Sequence, residues 1–363
     1  MNSIEEARQI INEVDEQTAK LFEKRMRAVE LIAEYKIKHG LPILDKEREA
    51  FVIKKNSDLI SDKTLREYYV KFLENNMDIS KRYQTRIAEG MKIAYCGTEG
   101  AFSHIATTKL FPTSKKIAYQ DFASAYEAVV NGECDAAVLP IENSSNGEVG
   151  QVTDLMFSGS LYINDIFELA VTQDLVALPE AELSDIKEVV SHPQALGQCS
   201  DYIKNHEFRK REYSNTALAA KFIKENGDKS LAAIASEEAA EVFGLKVLER
   251  KINESSINTT RFAVFSRAEN KHGSNEMGVH TILLFTVRNV PGALARAIDI
   301  IGKHKFNMRS LRSRPMKELL WQYYFYVEAE GNVNTPSGES MMLELKDFCD
   351  KLKAVGTYTK RSK

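Results

Sequence analysis

The 363 residues predict a multidomain chain with an all-α segment, an α/β segment and an α+β segment in series. A chain of this length is too long for one ordinary hydrophobic core. Apolar residues near the start follow a helical heptad, whereas from Met91 onward short β-rich runs alternate with amphipathic helical stretches. Beyond a polar, glycine-containing linker at 267–278 the order becomes β-α-β-β-α-β, the split pattern of ferredoxin-like domains.

The first segment contains three predicted helices. Neither Gly nor Pro occurs from Ser3 to His39, and Gly40-Leu41-Pro42 then ends the first helix. A second helix is expected from near Asp45, and a third from about Thr64 to Ala88. The apolar stripe of the first helix comprises Ile4, Ala7, Ile11, Val14, Thr18, Leu21, Ala28, Ile32 and Tyr35.

The second segment is predicted to form largely parallel sheets, because short β-rich runs alternate there with helical stretches. The predicted strands contain Lys92–Tyr95, Ala136–Leu139, Glu188–Val190, Leu231–Ile234 and Phe262–Phe265. In the third segment the predicted elements are strand His280–Val287, helix Gly292–His304, strands Met308–Met316 and Gln322–Glu330, a helix at about Gly338–Leu352 and a short strand at Val355–Tyr358.

Composition excludes several classes of function. The net charge is only -3, so no basic excess indicates nucleic acid as a partner. The start lacks the pattern of a signal peptide and the apolar runs are strand-sized, so we expect a cytoplasmic protein without a membrane partner. The four cysteines are scattered and the histidines form no metal-ligand pattern. Neither a Walker A loop nor a GxGxxG occurs, so no cofactor is expected.

Arg25 occupies a position in the apolar stripe of the first helix, where a guanidinium is costly unless it is paired. A structural ion pair or a snorkelling side chain is one interpretation. Lys36 lies eleven residues further on, on nearly the same face, which favours a ligand site instead. Arg8 lies about 25 Å away along the helix, so it could join that site only from a second, antiparallel chain. This spacing predicts a dimer.

Two smaller groups accompany these cations. Asp45, Arg48 and Glu49 share one helical face, as do Ser80 and Gln84 on the third predicted helix. Either group alone is typical of a solvated helix surface. Together with Arg25 and Lys36 they provide cations, a carboxylate and neutral hydrogen-bonding groups for one compact dianion.

The set resembles the all-helical chorismate mutase pattern across residues 3–88. The resemblance implies a homodimer or higher homo-oligomer that rearranges chorismate in one concerted step, in which cations and amides stabilise charge on the breaking ether oxygen. It implies that Lys36 and Gln84 contact that oxygen, that Glu49 contacts the ring hydroxyl and that arginines hold the carboxylates. The implied catalytic set is Arg25, Lys36, Glu49 and Gln84, and the implied substrate-binding set is Asp45, Arg48, Ser80 and the partner subunit's Arg8.

Four stretches of the middle segment carry small and neutral hydrogen-bonding residues beside predicted strands: Gly97–His104, Pro140–Gly147, Ser191–Cys199 and Asn258–Phe262. The carboxyl ends of strands are where α/β proteins bind ligands, and a strand-to-helix turn suits an anion. Each stretch also has a plainer interpretation. The glycines could form a tight turn, Ser191 could cap a helix and Asn143 could form an Asx turn.

The four stretches together resemble the prephenate dehydratase domain over residues 91–267. The resemblance implies two α/β subdomains joined by a hinge, with prephenate bound between them. It implies that Thr260 is the catalytic hydroxyl, acting on the departing hydroxyl of prephenate, and that Arg261 orients the site. The other implied binding residues are Glu142, Asn143, Ser191 and Gln198.

In the last segment, the motif at 289–295 ends a predicted strand and opens a predicted helix, where free N–H groups suit a carboxylate, although a plain strand-to-helix turn is the alternative. Together with a second motif at 312–315, it resembles an ACT regulatory domain. The resemblance implies pairing with a second copy and binding of phenylalanine as an effector at the interface. The second motif is Glu-Ser-Arg-Pro in the family, whereas this chain has Arg312 at the first position, which reverses a charge. The single tryptophan, Trp321, is expected to report binding by fluorescence. The implied effector residues are Asn289, Gly292, Ala293, Leu294, Ser313 and Arg314.

The leading hypothesis is an enzyme with two active sites, a mutase domain at 1–89 and a dehydratase domain at 91–267, followed by a regulatory domain at 279–363. Chorismate is then the first substrate, and prephenate is both the first product and the second substrate. A rival of another class is a non-enzymatic sensor of small anions and amino acids. A narrower rival is a dehydratase with an inactive mutase domain.

Overall fold

The computed structural model describes residues 3–254, 257–269, 271, 277–316 and 322–359. Trp321, the expected fluorescence reporter, and part of the predicted linker lie outside these residues. The chain forms two compact units, an N-terminal unit at Met1–Met91 and a C-terminal unit at Lys92–Lys363. This division follows the predicted change from all-α to mixed structure.

Three helices form the N-terminal unit, as predicted: α1 (Ser3–His39), α2 (Lys46–Ser57) and α3 (Lys63–Glu89). The start of α2 is fixed by Asp45, whose side chain accepts a hydrogen bond from the backbone N–H of Arg48 at 2.9 Å. Val29 and Ala33 of α1 are buried, as is Leu73 of α3. The core of the unit therefore involves only the C-terminal half of α1.

The predicted apolar stripe of α1 is left largely uncovered by its own chain. Ile11 is 57% exposed and Leu21 is 66% exposed, values far above those of ordinary core residues. The large apolar side chains exposed along α1 are Ile4, Ile10, Ile11, Val14, Leu21, Phe22, Leu31, Ile32, Tyr35 and Ile37. A contiguous apolar surface of this kind marks an interaction face.

The C-terminal unit begins with a subdomain built on a six-stranded sheet, the first sheet. Its elements before the chain leaves it are β1 (Lys92–Cys96), α4 (Phe102–Leu110), β2 (Lys115–Tyr119), α5 (Phe122–Val130), β3 (Ala136–Asn143), β4 (Gly147–Glu148), α6 (Gly150–Ser158) and β5 (Tyr162–Ala170).

A second subdomain follows and contains a five-stranded sheet, the second sheet. Its elements are β6 (Asp174–Ala177), a 3-10 helix (Leu183–Asp185), β7 (Glu188–Ser191), α7 (Pro193–Gln198), α8 (Ser200–Asn205), β8 (Arg209–Glu212), α9 (Thr216–Asn226), β9 (Leu231–Ala235), α10 (Glu237–Phe243) and β10 (Lys246–Glu249). The chain then returns to the first sheet as β11 (Thr259–Ser266). Each subdomain has its own hydrophobic core.

The two sheets are mixed, so the prediction of largely parallel sheets is wrong in part. The first sheet has the order β2-β1-β3-β11-β5, with the short β4 as its sixth strand, paired to β3. In this sheet β11 runs antiparallel to both of its neighbours. The second sheet has the order β10-β6-β9-β7-β8, and in it β6 runs antiparallel to both of its neighbours, β10 and β9. The reason is that the chain crosses between the subdomains twice, and a strand that arrives from the other subdomain enters without a helical crossover.

The remaining described elements form a four-stranded antiparallel sheet, the third sheet, in the order β13-β14-β12-β15. The elements are β12 (Val279–Val287), α11 (Ala293–Lys303), β13 (Asn307–Pro315), β14 (Tyr323–Glu330), α12 (Pro336–Phe348) and β15 (Cys349–Thr359). This is the predicted β-α-β-β-α-β order. The last helix ends earlier than predicted, because the chain from Cys349 to Leu352 pairs with β12.

The third sheet is covered on both faces. One face packs against α11 and α12. The other joins the core of the first subdomain, where Leu284 and Tyr326 lie in one cluster with Ile163 and Phe265. The strand β12 is buried almost throughout, which explains its continuous apolar run.

Candidate active sites

Arg25 lies between α1 and α3 and is partly buried. Its guanidinium donates a hydrogen bond to the hydroxyl of Ser80, and burial lowers the pKa of Arg25. Among the described residues, no carboxylate lies within salt-bridge distance of Arg25. The predicted alternative of an internal ion pair for Arg25 is therefore not what the fold contains, and a positive charge remains available at this point.

Two neutral groups surround that charge. Ser80 is buried on α3 and donates its hydroxyl hydrogen to the carbonyl of Asn76 at 2.7 Å. The buried Gln84 donates a long hydrogen bond, 3.4 Å, to the carbonyl of Ser80, and its Oε1 has no partner in the described part of the chain. Because buried amide groups ordinarily satisfy both ends, Gln84 has hydrogen-bonding capacity left for a ligand.

The other predicted mutase residues have mixed positions. Lys36 donates to the carbonyl of Ile43 at 2.6 Å, in the turn before α2. Glu49 lies 3.2 Å from the ammonium of Lys81, a neighbour that sequence reasoning did not identify. Arg48 lies over the ring of Phe51, while Asp45 serves as the N-cap of α2. Arg8 is exposed on the same continuous helix α1 as Arg25, seventeen residues before it.

The second candidate site is at the edge of the first sheet. Thr260 near the start of β11 lies opposite Asn143 at the end of β3. Because β3 is parallel to β1, both residues lie at the edge where the carboxyl ends of strands gather. The side-chain amide of Asn143 donates to the hydroxyl oxygen of Thr260 at 2.9 Å and to the side-chain oxygen of Asn258 at 2.8 Å.

The orientation of the Asn143 amide is fixed by its other end. Its Oδ1 accepts hydrogen bonds of 3.0 Å from the backbone N–H groups of Ser145 and Asn146. The predicted Asx turn is therefore present, and it directs the amide NH₂ toward Thr260. Thr260 accepts from Asn143, and its own hydroxyl hydrogen has no acceptor among the residues described. That hydrogen is free to be donated to a ligand.

Ser191 and Gln198 lie in the second subdomain, whereas Asn143 and Thr260 lie on the first sheet. Ser191 is fully buried at the end of β7, where its hydroxyl donates to the carbonyl of Ile234 at 2.6 Å. Gln198 lines a small cavity of about 100 Å³. Its other lining residues are Ser145, in the turn between β3 and β4, and Asn253, Glu254 and Asn258, in the segment that connects β10 to β11.

Three polar residues of this region were not singled out by sequence reasoning. Asn258 is buried and bonds Asn143, and it lies within the stretch that also contains Thr260. The buried Thr98 Oγ1 and Gln173 Oε1 have no hydrogen-bond partner within the described ranges. Thr98 lies in the predicted glycine-rich stretch. Gln173 gives no signal in the sequence, because it lies in a crossing segment between the subdomains.

Arg261 and Glu142 lie opposite each other, one residue removed from Thr260 and Asn143. Arg261 contacts Glu142 at 3.1 Å and makes a two-point contact of 2.9 and 2.8 Å with the buried Glu328 of the third sheet. Burial alone would lower the pKa of Arg261, but the hydrogen bonds and charge of Glu328 raise it overall. Arg261 is thus held as a cation.

The predicted effector residues fall on different parts of the third sheet. Asn289, Ala293 and Leu294 line a cavity of about 570 Å³ at the start of α11, and Gly292 caps that helix with a φ of 80°. Ser313 is exposed on β13. The next residue, Arg314, is partly buried and donates hydrogen bonds to the carboxylate of Asp154 and the hydroxyl of Tyr324.

None of the described helices combines enough length with enough apolar character to cross a membrane. In the described ranges no three His, Cys, Asp or Glu side chains converge as a metal site would require. The cysteines Cys96, Cys134, Cys199 and Cys349 are all free thiols.

Comparison with known proteins supports the division of the chain. The family model of chorismate mutase type II matches residues 7–85, and that of prephenate dehydratase matches residues 93–270. A solved prephenate dehydratase from Arthrobacter aurescens, in complex with L-Phe, is 28% identical with a TM-score of 0.69. It covers 74% of this chain and 90% of its own. A structure described as a novel type of quorum quenching acylase is 31% identical, also with a TM-score of 0.69, over 74% of this chain and 98% of its own.

Similarity also extends over almost the whole sequence. A bifunctional chorismate mutase/prephenate dehydratase from Buchnera aphidicola subsp. Schizaphis graminum is 30% identical, and the match covers 98% of this chain and 96% of the relative. Both family models and this full-length relative agree on the same two activities. The chain belongs to the family of bifunctional chorismate mutase/prephenate dehydratases.

Proposed function

We propose that the N-terminal unit rearranges chorismate to prephenate and that the C-terminal unit converts prephenate to phenylpyruvate, on the route to phenylalanine. The contact that carries the proposal is the hydrogen bond from Asn143 to Thr260, since it leaves a buried hydroxyl hydrogen free to act on a ligand. The proposed domains are 1–89, 91–267 and 279–363.

The mutase step requires charge stabilisation rather than a nucleophile. As the ether bond of chorismate breaks, negative charge develops on its oxygen, and preorganised donors lower the barrier. Arg25 has a neutral partner, Ser80, so its charge is not cancelled by the protein. The side-chain NH₂ of Gln84 is a second donor group beside it, because only one long hydrogen bond, 3.4 Å to the carbonyl of Ser80, now engages it. Arg48, Lys36 and Glu49 complete the proposed set.

The dehydratase step releases carbon dioxide and water. The carbon–carbon bond to the carboxylate breaks, its electron pair forms the last double bond of the aromatic ring, and the ring C–O bond breaks at the opposite carbon. The leaving hydroxide needs a hydrogen-bond donor as it takes up a proton. The hydroxyl of Thr260 is the proposed donor, held in place by Asn143. Burial of this hydroxyl keeps water from competing for it.

We propose that two subunits share the mutase site. The exposed apolar stripe of α1 provides the surface for antiparallel pairing, because its large side chains have no cover from their own chain. In that pairing the partner subunit's Arg8 meets the substrate held by Arg25, which a single helix cannot arrange over about 25 Å.

Phenylalanine is the proposed effector. The cavity at the start of α11 has the volume and mixed lining that a small amino acid needs, and helix N-H groups suit an α-carboxylate. The solved relative from Arthrobacter aurescens was found in complex with L-Phe.

A coupled assay tests the proposal: chorismate is supplied and phenylpyruvate is measured, with and without phenylalanine. Arg25→Ala is expected to lower mutase turnover about a hundredfold and to leave dehydration of added prephenate unchanged. Thr260→Ala is expected to do the reverse. Equal damage to both activities by each substitution would contradict the assignment of the domains, and a complete lack of turnover in the wild type would favour the sensor.

A further inference from the structure

We propose that Arg312 of the third sheet is a positioning residue for dehydration, which holds Glu142 and thereby the neighbouring Asn143. The inference rests on the proposed roles of Asn143 and Thr260. It concerns a side chain outside the proposed dehydratase domain, on a strand otherwise assigned to regulation.

The strand β13 directs alternate side chains toward the first subdomain. Ser310, Arg312 and Arg314 are partly buried, whereas Arg309 and Leu311 are exposed. The guanidinium of Arg312 forms a salt bridge with Glu142 and lies 5.5 Å from the ring centre of Tyr326. Both side chains of this salt bridge are 25% exposed, so water screens the pair only in part.

Glu142 is held from two sides. Arg261 of β11 approaches it at 3.1 Å, and Arg312 approaches it from the third sheet. Arg261 is fixed in turn by Glu328 and by the hydroxyl of Tyr358 at 2.9 Å. The charges therefore alternate from Arg312 through Glu142 and Arg261 to Glu328. This row of charges joins β3 and β11 of the first sheet to the third sheet.

The geometry of a strand connects this row to the reacting groups. Glu142 directly precedes Asn143 on β3, and Arg261 directly follows Thr260 on β11. Successive side chains of a strand point to opposite faces. When Glu142 and Arg261 are held against the third sheet, Asn143 and Thr260 face the other way, toward the cleft. A shift of Glu142 would therefore change the direction in which the Asn143 amide points.

The test compares Arg312→Met with Arg309→Met in the full chain. Arg309 is a matched control, since it lies on the same strand and pairs with Glu330, but is exposed. Arg312→Met is expected to lower kcat for prephenate about tenfold with little change in KM, because the displaced groups act in the transition state. Arg309→Met should match the wild type. Arg312→Lys should recover part of kcat, since the charge returns without the planar fork.

A double substitution separates positioning from general stability. If Arg312 acts through Glu142, adding Arg312→Met to Glu142→Gln should lower kcat no further. Urea unfolding of the same samples reports whether the C-terminal unit, which contains Arg312 and Glu142, is folded. A kcat of Arg312→Met equal to that of Arg309→Met, or a full tenfold loss in the Glu142→Gln background, would overturn the inference.

Thr260→Ala distinguishes this failure from failure of the proposed function. If Thr260→Ala loses prephenate turnover while Arg312→Met keeps it, only the positioning role is rejected. If Thr260→Ala keeps wild-type turnover, the proposed dehydratase site itself is rejected, and the role of Arg312 falls with it.

Discussion

A mutase site shared between subunits can be tested by complementation. One subunit carries Arg8→Ala and the other Arg25→Ala, and the two are co-expressed with different tags and purified on both. Each heterodimer then contains one site with both arginines and one site with neither. Arg8 and Arg25 of one chain are about 25 Å apart on α1, so they cannot contact the same small substrate.

The expected magnitudes follow from this geometry. Loss of one preorganised cation from the site costs about 3 kcal/mol of transition-state stabilisation, so each homodimeric variant should lose on the order of a hundredfold in kcat/KM. The heterodimer should recover about half of wild-type mutase activity, because one of its two sites is intact. The contrast between half and about one hundredth is large enough for a simple chorismate-consumption assay.

The same samples provide the controls. Dehydration of added prephenate should be equal in all of them, and Arg27→Ala, at an exposed position of α1, should leave both activities unchanged. A doubly tagged heterodimer as inactive as either parent would refute the shared site. So would full mutase activity in the Arg8→Ala homodimer.

Three further predictions concern the C-terminal unit. Thr260→Ser should keep most dehydratase activity while Thr260→Ala loses about a hundredfold in kcat, measured with prephenate, because serine retains the hydroxyl donor. Glu328→Ala should lower the free energy of unfolding by about 3 kcal/mol, measured by urea titration, since it leaves the buried Arg261 without its main counter-charge. Burial would raise the pKa of Glu328, but the hydrogen bonds and charge of Arg261 lower that pKa overall. The stabilisation by Glu328 is therefore complete above its ordinary pKa of 4.5, and it is lost as the pH falls from 4.5 through the lowered pKa of the folded state. Gly356→Ala should lower the melting temperature by several degrees, because a Cβ there would lie 2.0 Å from a backbone oxygen of β5, whereas Gly302→Ala, with open space, should not lower it.

Much of the fold could be predicted because the relevant signals are local. The helix α1 ends at His39, before Gly40, as the sequence indicates, and the order of elements in the third sheet follows from hydrophobic periodicity. The end of α12 was misplaced, since residues Cys349–Leu352 suit a helix locally but pair with β12. The antiparallel entry of β11 was missed for a similar reason. Its neighbours β3 and β5 precede it by about a hundred residues, and no local pattern encodes such a pairing.

The candidate sites show the same division between local and distant information. Asn143 and Thr260 were predicted separately, and the sheet brings them into register. The sequence could suggest Asp45 as a substrate ligand, but its local bond to the N–H of Arg48 gives it a capping role as well. Gln173 and Arg312 were not predicted as site residues, because their significance depends on what lies across a subdomain boundary.

Arg25 and Arg261 show that the sequence alone does not tell whether a partly buried arginine has a structural or a ligand-binding role. Arg25 and Arg261 are both withdrawn from water, and a partly buried guanidinium requires compensation in either case. Arg261 obtains it from Glu328, 67 residues away in the chain, so its charge is largely neutralised by the protein. Arg25 has only the neutral Ser80, and the desolvation that lowers its pKa has no opposing carboxylate among the described residues. An anionic ligand would supply the missing counter-charge, which is the physical reason to place chorismate at Arg25 and to assign Arg261 to positioning.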